Sequence, residues 1–184
     1  MARIAIVGDG PGGLSAALFL AKNGQDVTVY GTDETAMHFA YLYNYLGIPE
    51  IDGSAFQEVA RGQVAAVGAD IRTLRVESVD RSDNGFTVTP VGGEAEEADY
   101  LILTEGKNPE LARSLGLEET DDGIAHDREF ATSIDGVYVL GRAARRNRSQ
   151  AIISAGAGAT AALDILSRIE GKNVQDWDTP PKDE

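Results

Sequence analysis

Cysteine is missing from this chain, and histidine nearly so: His38 and His126 are the only two in 184 residues. Disulfides, thiolate catalysis, iron–sulfur ligation and cysteine-built zinc sites are thereby excluded. Two histidines are too few for a histidine metal cluster, so no metal is expected. Positive charge is scarce as well. Sixteen Lys and Arg face 30 Asp and Glu, for a formal net charge of −14, and only four of the basic residues are lysines. Such a balance repels phosphate backbones and anionic lipid, so neither nucleic acid nor a membrane surface is an expected partner. The scattered acids read as a solvated surface suited to high internal salt, a halophilic pattern in which repulsion is screened. An ordinary acidic cytosolic protein has the same composition. No run approaches the roughly 18 apolar residues of a membrane span, and Met1-Ala2-Arg3 leads into a strand without a signal-peptide core. A soluble, cytoplasmic protein is expected.

Glycine, by contrast, is plentiful at 21 residues, and its placement is informative. "IAIVGDGPGGLSAALFLAKNG" (4–24) opens on an apolar run, Ile4 to Val7, crowds glycines into 8–13, and continues with Leu14, Ala17, Leu18 and Ala21 at helical spacing. Gly8, Gly10 and Gly13 fit G-x-G-x-x-G: the first suits a sharp turn, the second lets a pyrophosphate approach the backbone, the third lets the helix lie close to the strand. Pro11 suits a first helical turn, and Gly12 sits beside it. The free N–H groups and the dipole of such a helix start attract anions. "DVTVY" (26–30) supplies a second strand at the right distance, which favours a nucleotide site over a bare glycine turn.

With 42% hydrophobic residues the chain is long enough for one substantial core. A single domain over 1–171 and a loose polar tail over 172–184 are expected. Between them the pattern predicts a short helix near Ala36 to Tyr43 and an amphipathic helix over Ser54 to Ala69. The latter would have Ser54 as N-cap and Phe56, Val59, Ala60 and Val64 on one side. A strand "IRTLRVESVD", a turn at Asn84-Gly85 and further strands over "FTVTPV" and "EEADYLILTEG" follow. "NPELARSLGLE" reads as a short helix, "GVYVLG" (136–141) as a buried strand, and a long helix begins near Gln150. Gly156 and Gly158 inside that helix suggest close packing against backbone or cofactor. The fold class is α/β, with a parallel central sheet and a small antiparallel meander.

Three segments, "VGDGPGGLSAALFLAKNG", "TSIDGVYVLGRA" and "SQAIISAGAGATAALDILSRIEG", occur in an order that resembles the FAD domain of the thioredoxin reductase family. That resemblance implies a Rossmann-like FAD-binding fold, with Gly8, Gly10, Pro11, Gly12 and Gly13 at the pyrophosphate. By the same likeness Gln150 and Ala151 lie against the isoalloxazine, and Asn44, in "NYLGIPEIDG", lies near the ring. The acid expected at the end of the second strand is replaced by Gly31, with Asp33 two residues on to bind the adenosine ribose. Gly106 keeps the glycine of the family's Ala-Thr-Gly while Glu105 replaces its threonine. Gly141 keeps the glycine of the second FAD motif while Arg142 replaces the aspartate after it. The NAD(P)H-binding domain with its Cys-x-x-Cys, inserted in full-length members after Ala-Thr-Gly, is missing: "LILTEGK" runs directly into "NPELARSLGLE".

The functional expectation is an FAD-dependent oxidoreductase reduced by a separate donor, with a protein as one candidate for that donor or for the acceptor, and forming a homodimer. The alternative is a noncatalytic nucleotide-binding sensor or docking subunit. NADP is disfavoured because Gly31 to His38 holds no arginine for a 2′-phosphate. No catalytic residue is assigned; His126 and Tyr43 are candidates, against ordinary structural roles for both. "LGRAARRNRSQ" gathers Arg142, Arg145, Arg146 and Arg148. Either Arg142 binds phosphate and offsets Asp9, or the loop is solvated and pairs with acids such as Asp127 and Glu129.

Overall fold

The computed structural model describes residues 1–180. β1 (Arg3–Val7), α1 (Pro11–Lys22) and β2 (Asp26–Tyr30) form the opening β-α-β unit. A 3-10 turn (Ala36–Phe39) then leads into a hairpin of β3 (Tyr41–Leu42) and β4 (Ile51–Asp52). α2 (Gly53–Ala66) and β5 (Asp70–Arg72) follow, then a meander of β6 (Val76–Ser82), β7 (Gly85–Pro90) and β8 (Glu96–Ala98), and β9 (Tyr100–Leu103). The chain continues through α3 (Glu110–Ser114), β10 (Glu119–Thr120), β11 (Gly123–Ile124), β12 (Val137–Val139), α4 (Gly141–Ala144) and α5 (Ala151–Glu170).

Five strands make one parallel sheet in the order β12-β9-β1-β2-β5. Val7 is aligned with Tyr30 on one side and Leu103 on the other, and Val139 is aligned with Leu103. All these strands therefore end at the same edge, and the chain runs from β1 outward to β2 and β5 on one side before crossing back to β9 and β12 on the other, which makes β1/β9 the switch point at which open α/β sheets bind ligands. Ile4, Ile6, Val29, Leu101 to Leu103 and Val137 to Val139 are buried, as strands covered on both faces require. α1 packs between α2 and α5 on one face. The antiparallel meander covers the other and contributes Val79, Phe86, Val88 and Ala98 to the same core.

Several local expectations change. The segment after Thr35 makes only one 3-10 turn, because Ala40 is extended (φ −107°) and its carbonyl accepts from Gly53 N in the hairpin. α2 is capped by Asp52, whose carboxylate accepts from Ser54 N (2.8 Å) and Ala55 N (3.3 Å), not by Ser54. Its inward face runs through Gly53, Gln57, Ala60, Val64 and Val67, so Val59 points outward at 58% exposure. "IRTLRVESVD" divides between β5 of the parallel sheet and β6 of the meander. In the segment after α5, Val174 N donates to Ser167 Oγ, and Lys22 pairs with Asp176 and Asp178. Residues 181–184 of the expected tail lie outside the described residues.

α5 is, by length and composition alone, apolar enough to cross a membrane, with mean hydropathy 1.3 over its best window. Packing accounts for that. Ala157, Gly158, Ala161, Ala162, Ile165 and Leu166 are buried against α1 and the sheet, while Thr160 and Asp164 sit outside the core stripe. The seam with α1 is close: a Cβ on Gly158 would stand 2.2 Å from Gly12 O and 2.9 Å from Ala16 N. Gly156 does no such work, since nothing lies within 4 Å of its would-be Cβ.

Candidate functional site

The glycine turn occupies the carboxyl end of β1. Gly8 has φ +104°, and a Cβ there would meet Thr104 O at 2.5 Å; one on Gly13 would meet Gly8 O at 2.2 Å. Both glycines are thus demanded by backbone crossing backbone. Gly10 differs: its backbone is ordinary (φ −71°), and only Thr35 Oγ1, at 3.6 Å, lies near its would-be Cβ. The bare Cα of Gly10 therefore leaves open space beside the start of α1 without serving any protein packing. No side chain caps that helix, and the first helical bond is Leu14 N to Gly10 O (3.0 Å). The first-turn amides are left for an anion.

A second uncapped helix start lies alongside. α5 begins at Ala151 after Gln150, with no side-chain cap. Gly12, Leu140 and Ser154 meet, a Cβ on Gly12 coming within 3.1 Å of Ser154 O and 3.4 Å of Leu140 Cβ. Gly141 (φ +60°) is next to this junction, near Ser154 and Thr104. The β3–β4 hairpin closes the far end: Asn44 Nδ2 donates to Gln150 Oε1 at 3.3 Å, and Ala151 is buried with Met37 and Leu42. The expected neighbours Gly8 to Gly13, Asn44, Gly141, Gln150 and Ala151 are thereby gathered along one edge.

Other candidates are used differently. Gly106 (φ +84°) turns the loop after β9 with nothing near it. Glu105 folds back to accept from Leu111 N (2.8 Å) and Ala112 N (3.1 Å), capping α3, and burial pushes its carboxyl up. His126 stacks on Phe130 at 4.9 Å and bonds Asp127 O through Nδ1, a structural post. Tyr43 is 73% exposed and its ring lies 4.9 Å from that of Tyr41, tilted by 41°. Arg142 has no carboxylate partner among the described residues and does not offset Asp9; Arg61, brought in by α2, does that. Nor does the arginine loop pair with Asp127 and Glu129: Arg146 bridges to Glu119, and Arg145 lies 5.5 Å over the Phe130 ring.

The side of the glycine turn that faces β2 is crowded with polar groups that pattern alone did not reveal. Asp9 is 4% exposed; its Oδ2 pairs with Arg61 and accepts from Asp33 N (3.2 Å), and its carbonyl accepts from Gln57 Nε2 (2.5 Å). Burial raises its carboxyl above the ordinary range although Arg61 opposes the shift. Asp33, with φ +57°, sets Oδ1 3.1 Å from His38 Nε2, and His38 Nδ1 lies 2.9 Å from Ser54 Oγ. In this Asp-His-Ser line the Ser54 amide is taken by Asp52 and is not free to donate to an oxyanion. A cleft of about 430 Å³ lies elsewhere, between sheet and meander. Its charges are satisfied internally: Arg72 pairs with Asp70 and Glu96, and Tyr30, pushed up to about 12 chiefly by burial, donates to Glu96.

Residues 2–55 match the pyridine nucleotide-disulphide oxidoreductase family model. The chain is 28% identical over 171 residues to a thioredoxin reductase of Streptomyces coelicolor, covering 90% of this chain and 50% of that one. It is 32% identical over 132 residues to the Rickettsia prowazekii thioredoxin reductase (70% and 39%). In structure, a thioredoxin reductase from Gloeobacter violaceus superposes with TM-score 0.87 at 18% identity, covering 96% of this chain and 99% of that one. The chain is a relative of the thioredoxin reductases. It spans about half the length of the Streptomyces relative. A glucosaminate ammonia-lyase of Pseudomonas fluorescens is also 28% identical over 170 residues (91% and 52%), so likeness to thioredoxin reductase does not by itself carry that enzyme's activity. The shared element is the α/β frame with its parallel sheet, on which the glycine turn and the start of α5 meet.

Proposed function

We propose that this chain is an FAD-binding flavoprotein domain that works as a cytoplasmic oxidoreductase and receives electrons from a separate donor. The observation that carries the reading is the pair of uncapped helix starts on one edge, with open space at Gly10 between strand and helix. Two amide-rich, dipole-positive ends suit the two electron-rich parts of FAD, its pyrophosphate and the carbonyl edge of its ring. Gly8 to Gly13 would hold the former; Gln150 and Ala151, steadied by Asn44, the latter. When bound, FAD supplies the redox chemistry, while the chain binds and orients. With no cysteine, the chain has no thiols of its own for disulfide reduction.

A separate donor is favoured because only residues 104–109 lie between β9 and α3, where the resemblance would set a nicotinamide domain. Docking beside the α5 start is supported by charge. Arg3, Arg61, Arg72, Arg113, Arg128, Arg146 and Arg168 all pair with carboxylates, whereas Arg142, Arg145 and Arg148, clustered in one loop, do not among the described residues, nor do the separate Arg75 and Arg81. An acidic carrier, or a second copy in a homodimer, would find its complement there.

The test is uptake of FAD by the full chain, read by flavin fluorescence quenching, with Gly10→Val as control. Valine fits the Gly10 backbone and meets little protein, so the variant should melt like wild type yet take up no FAD. A wild-type chain that neither quenches nor colours in excess FAD ends this reading. NADPH alone should reduce bound flavin slowly, with no nicotinamide domain to hold it in place. Rapid anaerobic bleaching in a stopped-flow instrument would show that the chain handles its own donor.

A further inference from the structure

The adenosine end carries a second step, which rests on the dinucleotide reading above. We propose that Asp9, within the glycine turn itself, supplies the carboxylate that recognises an unphosphorylated adenosine ribose, with Arg61 as its positioning partner. The role expected of Asp33 thereby moves to a residue on the other strand's turn.

Sterics make the first argument. A Cβ on Gly31 would stand 2.3 Å from Asp9 Cγ and 2.6 Å from its Oδ2. An acid at position 31 and an aspartate at position 9 therefore compete for one volume. The carboxylate that a dinucleotide fold ordinarily projects from the end of its second strand is, here, reached from the first. The second argument is hydrogen-bond capacity. Oδ2 of Asp9 is occupied by Arg61 and Asp33 N, while Oδ1 has no hydrogen bond among the described residues. Gln57 is 1% exposed and donates to Asp9 O, yet its own Oε1 is buried without a partner. A half-satisfied buried amide touching Asp9 calls for a donor from outside the protein. Ribose hydroxyls are such donors.

Asp33 is the poorer candidate. Its side chain is 45% exposed as a whole; its Oδ1, buried without a hydrogen bond, already stands 3.1 Å from His38 Nε2, and His38 in turn is held by Ser54, so the acceptor that Asp33 keeps inside faces an imidazole and not open space beside the glycine turn. The same geometry decides against a 2′-phosphate. An arginine does reach this end of the sheet, from α2 instead of from residues 31–38, but its guanidinium is committed to Asp9. A phosphate would meet a buried carboxylate before it met a free cation.

The test compares wild type, Asp9→Asn and Asp33→Asn, all first shown to melt cooperatively, by FAD fluorescence titration and by competition with ADP and adenosine 2′,5′-bisphosphate. Asp9→Asn should weaken FAD and ADP about tenfold, the scale of one lost charge-assisted bond. It should also narrow wild type's preference for ADP over the bisphosphate. Asp33→Asn should stay within twofold. A tenfold loss in Asp33→Asn, even if Asp9→Asn proved unfoldable, overturns the proposal and returns the ribose to Asp33; unchanged affinity in that variant supports it. If wild type takes up neither FAD nor ADP, the dinucleotide reading itself has failed, an outcome distinct from a misassigned acid.

Discussion

At the residue scale the site is built from exclusions as much as from contacts. Gly31 is glycine because Asp9 fills its side-chain space, so Gly31→Ala alone should cost about 1–3 kcal/mol by overpacking. In an Asp9→Gly background the same change should cost little, and urea melts of the four-member cycle measure that coupling. Additive costs would show that the two positions do not share their volume. Glu105 offers a second check. Its carboxyl is raised by burial, so ionisation works against the folded state. Its contribution is fully present below the ordinary glutamate value and is lost as pH rises through the raised one. Wild type should therefore lose stability relative to Glu105→Gln as pH rises from the ordinary glutamate value through the raised one, and parallel profiles would contradict this. Much of the site was legible because glycine needs are local: Gly8 and Gly13 answer to crossings within a few residues of themselves or with the neighbouring strand. The Asp9–Arg61 pair was not, since 52 residues separate its members and no spacing rule joins a turn to a helix two elements later. The role of Glu105 was not legible either, because its partners, the amides of α3, leave no trace in residue identity.

At the element scale, one helix seam sets the site. α1 and α5 must approach closely enough for both N-termini to face one ligand, and Gly12 and Gly158 permit it. Gly158→Ala would push a methyl into Gly12 O and Ala16 N, at a cost of about 1–3 kcal/mol. It should loosen FAD binding too, because the helix starts would part. Gly156→Ala, two residues earlier and facing open space, should instead stabilise by about 0.5–1 kcal/mol through helix propensity. Opposite signs in the two melts are the expected outcome; two stabilising substitutions would show that the seam has slack. Sequence could say that both glycines weaken a helix, but only packing separates them. The longer elements, β1, α1, β2 and α5 among them, were legible from their period, whereas the short hairpin strands β3 and β4 and the face of α2 were not. Gln57 occupies its buried centre for the sake of Asp9, and a polar residue there turns the apparent apolar stripe toward Val59.

At the scale of the whole molecule, electrostatics divide into two populations with opposite responses to salt. One is the excess of acids, a net −14 on a chain of 184 residues, whose mutual repulsion opposes compaction. The other is a set of ion pairs with at least one largely exposed partner, among them Arg3–Asp99, Lys22–Asp178 and Arg168–Asp135. Potassium chloride screens both, shrinking the Debye length from about 10 Å at 0.1 M to about 3 Å at 1 M. Exposed pairs are worth between about 0 and 1 kcal/mol each, so their loss is small and partial. The Asp9–Arg61 pair, whose side chains are 6% and 23% exposed, is shielded from solvent and loses least. Repulsion among unmatched carboxylates has no such limit, and its relief should win. Thermal melts in rising potassium chloride, a salt chosen over sulfate to avoid strengthening apolar burial, should therefore show the midpoint climbing. A relief of about 2 kcal/mol corresponds to roughly 4–8 °C for a domain of this size. FAD uptake should follow the same direction, because an anionic ligand approaching an acidic surface is repelled least when that surface is screened. A midpoint that falls steadily with salt would mean that the pairs dominate and that the acidity is ordinary, not an adaptation to a saline interior.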